Sequence, residues 1–496
     1  MFGEFLQGLG VVFQPTVLLF MFIGVVVGMV VGLLPGLGAL TTVAILLPML
    51  WKLSPEISLS LLLAILPAAI IAGSVTAILI NLPGEDISVA TLIDGYPMNQ
   101  RGEGGRAIAA GVTASMLGGL ASVALAFAMI PVVVKTVLAF GFSELLFLIV
   151  MGLSFVATLT GGSTIKGLIG GALGILISLI GFHPVTAVPR FTFGSLFLYD
   201  GLNLAVMMMG LFGLSEMLDL ILTGQSTIAK VEAAKVKFRD MMVGVNDVMK
   251  HWWLWLRSTV IGYVIGIIPG VGSSVAMWIS YGQAKQSSKN PEEFGTGRVE
   301  GVIAPQSSSN AVTAGSLLTT MVFGIPGSAV MAVIMGAFFM VGIPPGLSLV
   351  TDHLDLVFTL LLGLALANVI GGVICLASTR YLTKIVFVHM DYLFPVIMVI
   401  IFVAAFVTKG TILDFITVMI AGFLGLVMKR LGYSRAALCL GFVLGRLFEH
   451  YLLGSLKLSG PTFFLTPISL LIIAITIVLY TYGPIKRLLL KRKSRW

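Results

Sequence analysis

The chain has little charge for its length. Of 496 residues, 10% are Asp, Glu, Lys or Arg, whereas 58% are hydrophobic. Soluble domains carry about 25% charged residues, so a soluble fold with this composition cannot cover its apolar surface. We therefore expect lipid to be the solvent for most of the chain.

Residue patterns of enzyme active sites are also missing. The sequence has no His-Glu-x-x-His zinc pair and no Gly-Lys-Ser/Thr phosphate loop. Leu198–Gly201 contains the Tyr-Asp pair of intramembrane aspartyl proteases, but the Gly-x-Gly-Asp partner is absent. Cys375 and Cys439 lie in apolar segments without metal or redox spacing. We predict that the protein is not an enzyme and has no cofactor other than a coupling cation.

Long continuous apolar runs recur along the chain. Each reaches roughly the 17 residues that a membrane-spanning helix needs. They are Val17–Leu34, Ile57–Ile80, Ala107–Val134, Leu145–Gly162, Leu356–Ala377, Tyr392–Thr408 and Phe463–Tyr482. The first run lacks a basic leader and a cleavage site, so we do not interpret it as a removable signal peptide. The pattern predicts an all-α polytopic membrane protein.

The net charge of +8 is concentrated in two basic segments. One is Thr223–Lys250 in the middle of the chain, and the other is the C-terminal segment Lys486–Trp496. Because Lys- and Arg-rich loops stay in the cytoplasm, we expect both segments, and the C-terminus, to be cytoplasmic.

Two parts of the chain resemble each other. GLLPGLG at Gly32–Gly38 matches GIIPGVG at Gly266–Gly272. GSVTAILINLPG at Gly73–Gly84 matches GSLLTTMVFGIPG at Gly315–Gly327, with one residue inserted. These ordered matches predict two structural repeats, which in secondary transporters are commonly inverted relative to each other. The chain then divides into a first transmembrane repeat (1–222), a polar cytoplasmic linker (223–252), a second transmembrane repeat (253–485) and a basic cytoplasmic tail (486–496).

Each predicted repeat contains two Pro-Gly breaks in apolar surroundings. Proline removes a backbone donor and glycine permits sharp turns, so the breaks predict discontinuous or re-entrant helical hairpins. Irregular backbone at membrane depth is tolerated only where protein or a water-filled cavity surrounds it. Free N–H groups at the start of a half-helix attract anions, whereas unwound carbonyls suit a cation. We therefore predict that an anionic substrate binds at the breaks.

The candidate site residues are the breaks and the small polar residues beside them. For the substrate they are Pro35, Gly36, Gly38, Thr41, Thr42, Asn81, Pro83, Gly84, Pro269, Gly270, Gly272, Ser273, Ser274, Asn310, Pro326, Gly327 and Ser328. For a coupling cation, Na⁺ or H⁺, they are Ser74, Thr76, Asn81, Gln306 and Ser307. The alternative for any single Gly or Ser is that it only permits close helix packing.

Several longer motifs together resemble a known family. They are GLLPGLGALTTVAILLP, INLPGEDISVATLIDGYPMNQRGEGGRA, PRFTFGSLFLYDG, GLFGLSE, IGIIPGVGSSVAMWISY, FGTGRVEGVIAPQSSSNA and FGIPGSAVMAVIMGA. In this order, over nearly the whole chain, they resemble the large membrane subunit of the tripartite tricarboxylate transporters.

The resemblance implies a carrier in the bacterial inner membrane that takes up di- and tricarboxylates using an ion gradient. It implies two protein partners, a periplasmic solute-binding protein and a small membrane subunit with a few helices. We expect contact with lipid and no nucleic acid partner, and a homo-oligomer is left open. The alternative is a carrier or channel for another small solute that works without a binding protein.

The sequence departs from the family pattern in two segments. Gln306 stands where the family usually has Glu, and Ser309 stands where it has Asn. His183 replaces a usual Asp, and Ala187 lies near a usual Gly. The loss of a carboxylate at Gln306 removes a candidate cation ligand or protonatable group. The choice between Na⁺ and H⁺, the exact substrate, and a rocking or elevator motion therefore stay open at this point.

Overall fold

A computed structural model describes most of the chain. The described residues are 1–34, 38–50, 52–81, 88–138, 140–159, 163–183, 186–223, 238–269, 271–385 and 390–478. Five candidate substrate residues, Pro35, Gly36, Pro83, Gly84 and Gly270, lie outside this part, as does the basic tail 486–496.

Helices dominate the described residues. They are α1 (Phe2–Val12), α2 (Pro15–Leu33), α3 (Ala39–Leu46), α4 (Pro55–Ile80), α5 (Val89–Gln100), α6 (Gly104–Leu138), α7 (Phe142–Leu159), α8 (Thr164–Ser178), α9 (Leu204–Met208), α10 (Ser215–Thr223), α11 (Phe238–Lys250), α12 (Trp252–Ile267), α13 (Gly272–Ser287), α14 (Glu300–Phe323), α15 (Ala329–Met340), α16 (Leu347–Asp352), α17 (Leu354–Ile385), α18 (Met390–Lys409), α19 (Ile412–Arg430) and α20 (Arg435–Ser459). A π-helical stretch, Met209–Leu214, joins α9 to α10. The strands β1 (Gly181–Phe182) and β2 (Pro189–Arg190) pair antiparallel.

Membrane-spanning length is common among these helices. In the described part of the chain, seven helical segments are long and apolar enough to cross a bilayer. They are Pro15–Leu33, Pro55–Ile80, Gly104–Thr136, Leu204–Thr223, Leu354–Thr379, Ile412–Arg430 and Arg435–Leu465. The prediction of an all-α polytopic membrane protein is confirmed.

The chain forms two compact units that do not coincide with the sequence halves. The larger unit contains Met1–Val133 and Asn203–Val427, and the smaller contains Val134–Leu202 and Met428–Trp496. Each unit therefore takes segments from both predicted repeats. The division into two repeats and a linker stays a prediction.

Two helices form the centre of the larger unit. Every residue of α4 from Ser58 to Ile80 is buried, and so is every residue of α14 from Gly301 to Val322. A helix that is buried on all sides must be covered by other helices around its whole circumference. Two of the covering helices are α2 on α4 and α12 on α14. Each of them ends at a Pro-Gly break, so we call α2 and α12 the broken helices.

Glycines bring a broken helix against each central helix. On α2, a Cβ at Gly28 or Gly32 would clash with a main-chain carbonyl of α4, at Ile65 and Ala69 respectively. The approach of helix backbones that these glycines permit is typical of membrane proteins.

The second pair of helices repeats this contact. A Cβ at Gly262 or Gly266 of α12 would clash with the carbonyl oxygens of Ser308 and Val312 on α14. Gly32 and Gly266 are matched in the sequence, so α2 on α4 and α12 on α14 have the same local packing. These contacts align Ile65 with Ser308 and Ala69 with Val312, an alignment that we call the contact register. In the contact register Gly73 corresponds to Ser316, one residue beyond Gly315, its match in the sequence.

The smaller unit is built around α8 and α20. Gly174 of α8 contacts the backbone of α20 at Leu438. The β1–β2 hairpin is fixed by Arg190, whose Nη1 and Nη2 donate to Oε1 and Oε2 of Glu449 at 2.7 and 2.9 Å. His183 Nε2 lies 3.4 Å from the same carboxylate. Ala187 adopts a φ of 53°, in the left-handed region that favours glycine.

A buried carboxylate ties α5 to the loop that precedes α14. Asp94 is fully buried. Its Oδ1 accepts hydrogen bonds from the main-chain N–H groups of Gly295 (2.9 Å), Gly297 (2.8 Å) and Arg298 (2.8 Å). The hydroxyl of Tyr281 donates to its Oδ2 at 2.9 Å. Four donors compensate for the burial of this charge, so we interpret Asp94 as a structural residue.

We expect Asp94→Ala to lower the free energy of unfolding by at least about 3 kcal/mol, because it removes the buried acceptor shared by four donors. Tyr281→Phe is the matched control, since it removes one donor and costs about 1 kcal/mol. Thermal unfolding of the purified protein in detergent measures both. Equal melting temperatures for the two variants would contradict this role.

Candidate functional site: four interrupted helices

A helix begins directly after each of the four Pro-Gly breaks. These helices are α3, α5, α13 and α15, whose N-cap residues are Gly38, Ser88, Val271 and Ser328. In the described residues, no side chain caps the first three, whereas Ser328 Oγ accepts from Met331 N at 3.3 Å. The N–H groups of the first turns and the positive ends of the helix dipoles thus point toward the breaks, an arrangement that suits anion binding.

The helices before the second and fourth breaks end in the same way. Asn81, the C-cap of α4, has φ 56° and ψ 30°, and Gly324, the C-cap of α14, has φ 64° and ψ 27°. Left-handed backbone at these positions turns the chain out of the helix. Asn81 is exposed, so its amide is accessible for a ligand.

A threonine holds each broken helix at its last turn. Thr76 Oγ1 donates to the carbonyl of Leu33 at the end of α2, at 3.1 Å. Thr319 Oγ1 lies 3.1 Å from the carbonyl of Ile267 at the end of α12 and 3.0 Å from the carbonyl of Gly315 in its own helix, so these two acceptors share its one proton. Each bond satisfies a carbonyl that lost its helical partner at the break. The two threonines occupy matching positions in the contact register.

The first break is followed by buried hydroxyl groups. Thr41 and Thr42 are both buried. Thr42 Oγ1 donates to the carbonyl of Gly38 at 3.1 Å, one turn earlier in α3. This proton is therefore used inside the helix, and the hydroxyl oxygen keeps its capacity to accept.

The third break presents its hydroxyls to the outside of the fold. Pro269 is buried, whereas Ser273 is half-buried and Ser274 exposed. Neither serine hydroxyl forms a hydrogen bond to another described residue. Gly272 has a φ of 73°, which permits the turn into α13.

The fourth break packs tightly on its own central helix. Pro326 and Gly327 are buried. The N–H of Gly327 donates to Thr320 Oγ1 at 3.3 Å. A Cβ at Gly327 would lie 2.7 Å from both Cα and Cβ of Ser316, so only glycine fits without a shift.

The helices that follow the breaks contact each other in pairs, one from each half of the sequence. Helix α15, after the fourth break, packs on α3, after the first; α13, after the third, contacts α5, after the second. Between α5 and α13 lies an open cavity of about 380 Å³. Its lining residues are Asn81, Val89, Leu92, Ile93, Tyr96, Pro97 and Trp278. A single site shared by all four breaks stays a prediction.

The candidate cation ligands differ in the hydrogen bonds that their polar atoms already form. The hydroxyls of Ser74 and Ser307 donate within their own helices, to Ile71 O and Ile303 O, at 2.7 Å each. Gln306 Nε2 donates to a hydroxyl of α5 at 2.8 Å. Its Oε1 is buried and has no partner among the described residues.

Asn310 lies in the protein interior, and the sequence did not identify its hydrogen-bond partners. Its Nδ2 donates to Ser115 O at 3.0 Å and to Asn368 Oδ1 at 2.6 Å. Both partners are isolated polar residues in apolar runs. Buried polar groups are costly in lipid unless they have a function or a partner. The position of Ser115 and Asn368 in apolar runs was therefore the signal by which the sequence could have identified them.

Comparisons with known proteins are consistent with this architecture. The family model described as "Tripartite tricarboxylate transporter TctA family" matches residues 18–440. An uncharacterized 52.8 kDa protein in the TAR-I ttuC' 3' region of Agrobacterium vitis is 33% identical over 464 residues, 93% of this chain and 92% of that protein.

A second Agrobacterium vitis relative, an uncharacterized protein in the TAR-II ttuC' 3' region, is 34% identical over 198 residues. That match covers 40% of this chain and 82% of the relative. Comparison with solved structures gives no match. The extent of the family match and the full-length relative show that this multi-pass membrane protein belongs to the tripartite tricarboxylate transporter TctA family.

Proposed function

We propose that the protein is the large transmembrane subunit of a binding-protein-dependent secondary transporter that imports di- or tricarboxylate-like organic anions. The observation that supports this most is the start of a helix after every Pro-Gly break, in a chain of this family. Such helix starts attract carboxylates through main-chain N–H groups.

In this proposal the substrate binds without a fixed cationic side chain. The carboxylates accept from the helix starts, and the unpaired hydroxyls of Ser273 and Ser274 and the exposed amide of Asn81 donate to the remaining oxygens. Helix dipoles provide a positive potential that does not titrate. One part of the protein then moves relative to the rest, so that the site opens alternately to the two sides of the membrane.

The partners in this proposal are a periplasmic solute-binding protein and a small membrane subunit. Uptake is coupled to Na⁺ or H⁺, and the protein lies in the bacterial inner membrane with its C-terminus in the cytoplasm. Family membership supports the assembly. The basic residues of Thr223–Lys250 and Lys486–Trp496 support the orientation.

Uptake into cells tests the proposal. The chain is produced together with a small membrane subunit and a periplasmic binding protein of this family, in a strain without carboxylate uptake. We expect labelled di- or tricarboxylates to accumulate above the external concentration, and an ionophore to abolish the accumulation. Uptake that only equilibrates, or that is unchanged without the binding protein, would contradict the proposal and favour a channel or an independent carrier.

Substitution at the fourth break tests the role of the interrupted helices. We expect Gly327→Val to reduce uptake by about 100-fold, because displacement of a binding element by about 1 Å has an effect of this size. Gly282→Val is the matched control, since a Cβ at Gly282 of α13 meets nothing within 4 Å. Membrane levels of both variants are measured by immunoblotting. Wild-type uptake by correctly inserted Gly327→Val would contradict the role of this break.

A further inference from the structure

A polar cluster lies in the interior of the larger unit, where α6, α14 and α17 meet. Its members are Ser115 of α6, Asn310 of α14 and Asn368 of α17. Their side chains are at most 1% exposed. None of them titrates, so the cluster is neutral at every physiological pH.

The hydrogen bonds in this cluster are unevenly distributed over the Asn310 amide. Three oxygens lie within hydrogen-bond distance of Nδ2: Ser115 O at 3.0 Å, Ser115 Oγ at 3.2 Å and Asn368 Oδ1 at 2.6 Å. The amide nitrogen carries only two protons. Asn310 Oδ1, by contrast, is buried and accepts from no described residue.

The orientation of Asn368 is fixed from outside the cluster. Its Nδ2 donates to the carbonyl of Leu364 one turn earlier, at 2.9 Å. Its Oδ1 must therefore face Asn310. The space for this amide exists because Gly119 of α6 has no side chain, since a Cβ there would clash with Asn368 Oδ1.

The packing of the helices does not require these polar groups. In the contact register that relates α14 to α4, Gln306–Asn310 correspond to Leu63–Pro67, which are apolar and equally buried. A central helix can therefore be covered on all sides with apolar residues at these positions. Polar side chains here, two of them with a buried oxygen that has no partner among the described residues, point to a ligand.

We propose that this cluster binds the Na⁺ that drives transport, with the amide of Asn310 as the movable ligand. A half-turn about the Cβ–Cγ bond replaces Nδ2 by Oδ1. Asn310 Oδ1 then lies beside the three oxygens that surround Nδ2 at 2.6–3.2 Å, namely Asn368 Oδ1 and the carbonyl and hydroxyl oxygens of Ser115. Hard, neutral oxygens suit an alkali cation, and the site has no group that could carry a proton instead.

Without the cation, the two Nδ2 protons of Asn310 point toward the same three oxygens and can satisfy two of them. Gln306 lies one turn earlier on the same face of α14 and has a further unpaired oxygen, Oε1. This proposal rests on the ion coupling of the proposed function, and it chooses Na⁺ over H⁺.

Na⁺-dependent thermal stabilisation of the purified full chain tests the site without any substrate or partner protein. Melting temperatures are measured in NaCl and in choline chloride at equal ionic strength. We expect Na⁺ to stabilise the wild type. We expect Asn310→Leu, which replaces the amide by an apolar side chain of similar size, to fold and to lose the Na⁺ response.

Ser115→Ala removes one oxygen ligand and leaves the main-chain carbonyl. We expect it to raise the Na⁺ concentration for half-maximal stabilisation by at least about tenfold. Ser122→Ala is the matched control on the same helix, because the Ser122 hydroxyl is buried but donates within α6, to Gly119 O at 2.7 Å. It is expected to respond like the wild type. A wild-type Na⁺ response in Asn310→Leu, or none in the wild type, would overturn the proposal.

The uptake assay separates failure of the site from failure of the proposed function. Na⁺-driven carboxylate uptake that is unchanged in Asn310→Leu overturns the site and leaves the function intact. Uptake driven by H⁺ alone also overturns the site. A Na⁺ response that requires Asn310, in a protein that moves no carboxylate, supports the site and refutes the function.

Discussion

The structure depends on the requirement that main-chain polar groups in a bilayer be satisfied within the protein. Interrupting a helix leaves carbonyls and N–H groups unpaired, so an interruption is tolerable only against other protein. In the larger unit, α4 and α14 provide that protection, and Thr76 and Thr319 bond the carbonyls released at the ends of α2 and α12. Our proposal assigns the binding of a solute to the N–H groups at the following helix starts.

The two central helices have the same packing but different chemistry. Leu63–Pro67 of α4 are apolar, whereas the matching residues of α14, Gln306–Asn310, carry buried amides and hydroxyls. Because α4 is covered without amides at these positions, we assign the polar residues of α14 to function rather than to packing. Substrate binding at the fourth break and cation binding at Asn310 would then lie on one helix, about 20 Å apart, which offers a physical connection between them.

The sequence was sufficient to predict a helical membrane protein with Pro-Gly breaks, because apolar length and Pro-Gly chemistry are local properties. The apolar runs named from the sequence do not include the spans Leu204–Thr223 and Ile412–Arg430. The matching ends at Asn81 and Gly324 follow from those local signals. The hydrogen-bond partners of Asn310 could not be predicted in this way. Ser115 and Asn368 are far from Asn310 in the chain, and only the tertiary fold brings them together. The pairing of α3 with α15, and the composition of the two compact units from both halves, likewise depend on long-range packing that no local pattern encodes.

The central claim is that helix starts at the Pro-Gly breaks hold the anion. A cryo-EM structure of the transporter with a bound di- or tricarboxylate tests it most directly. The account predicts that carboxylate oxygens lie within hydrogen-bond distance of main-chain N–H groups at the start of α3, α5, α13 or α15. A carboxylate bound elsewhere, with all four helix starts out of reach, would contradict it.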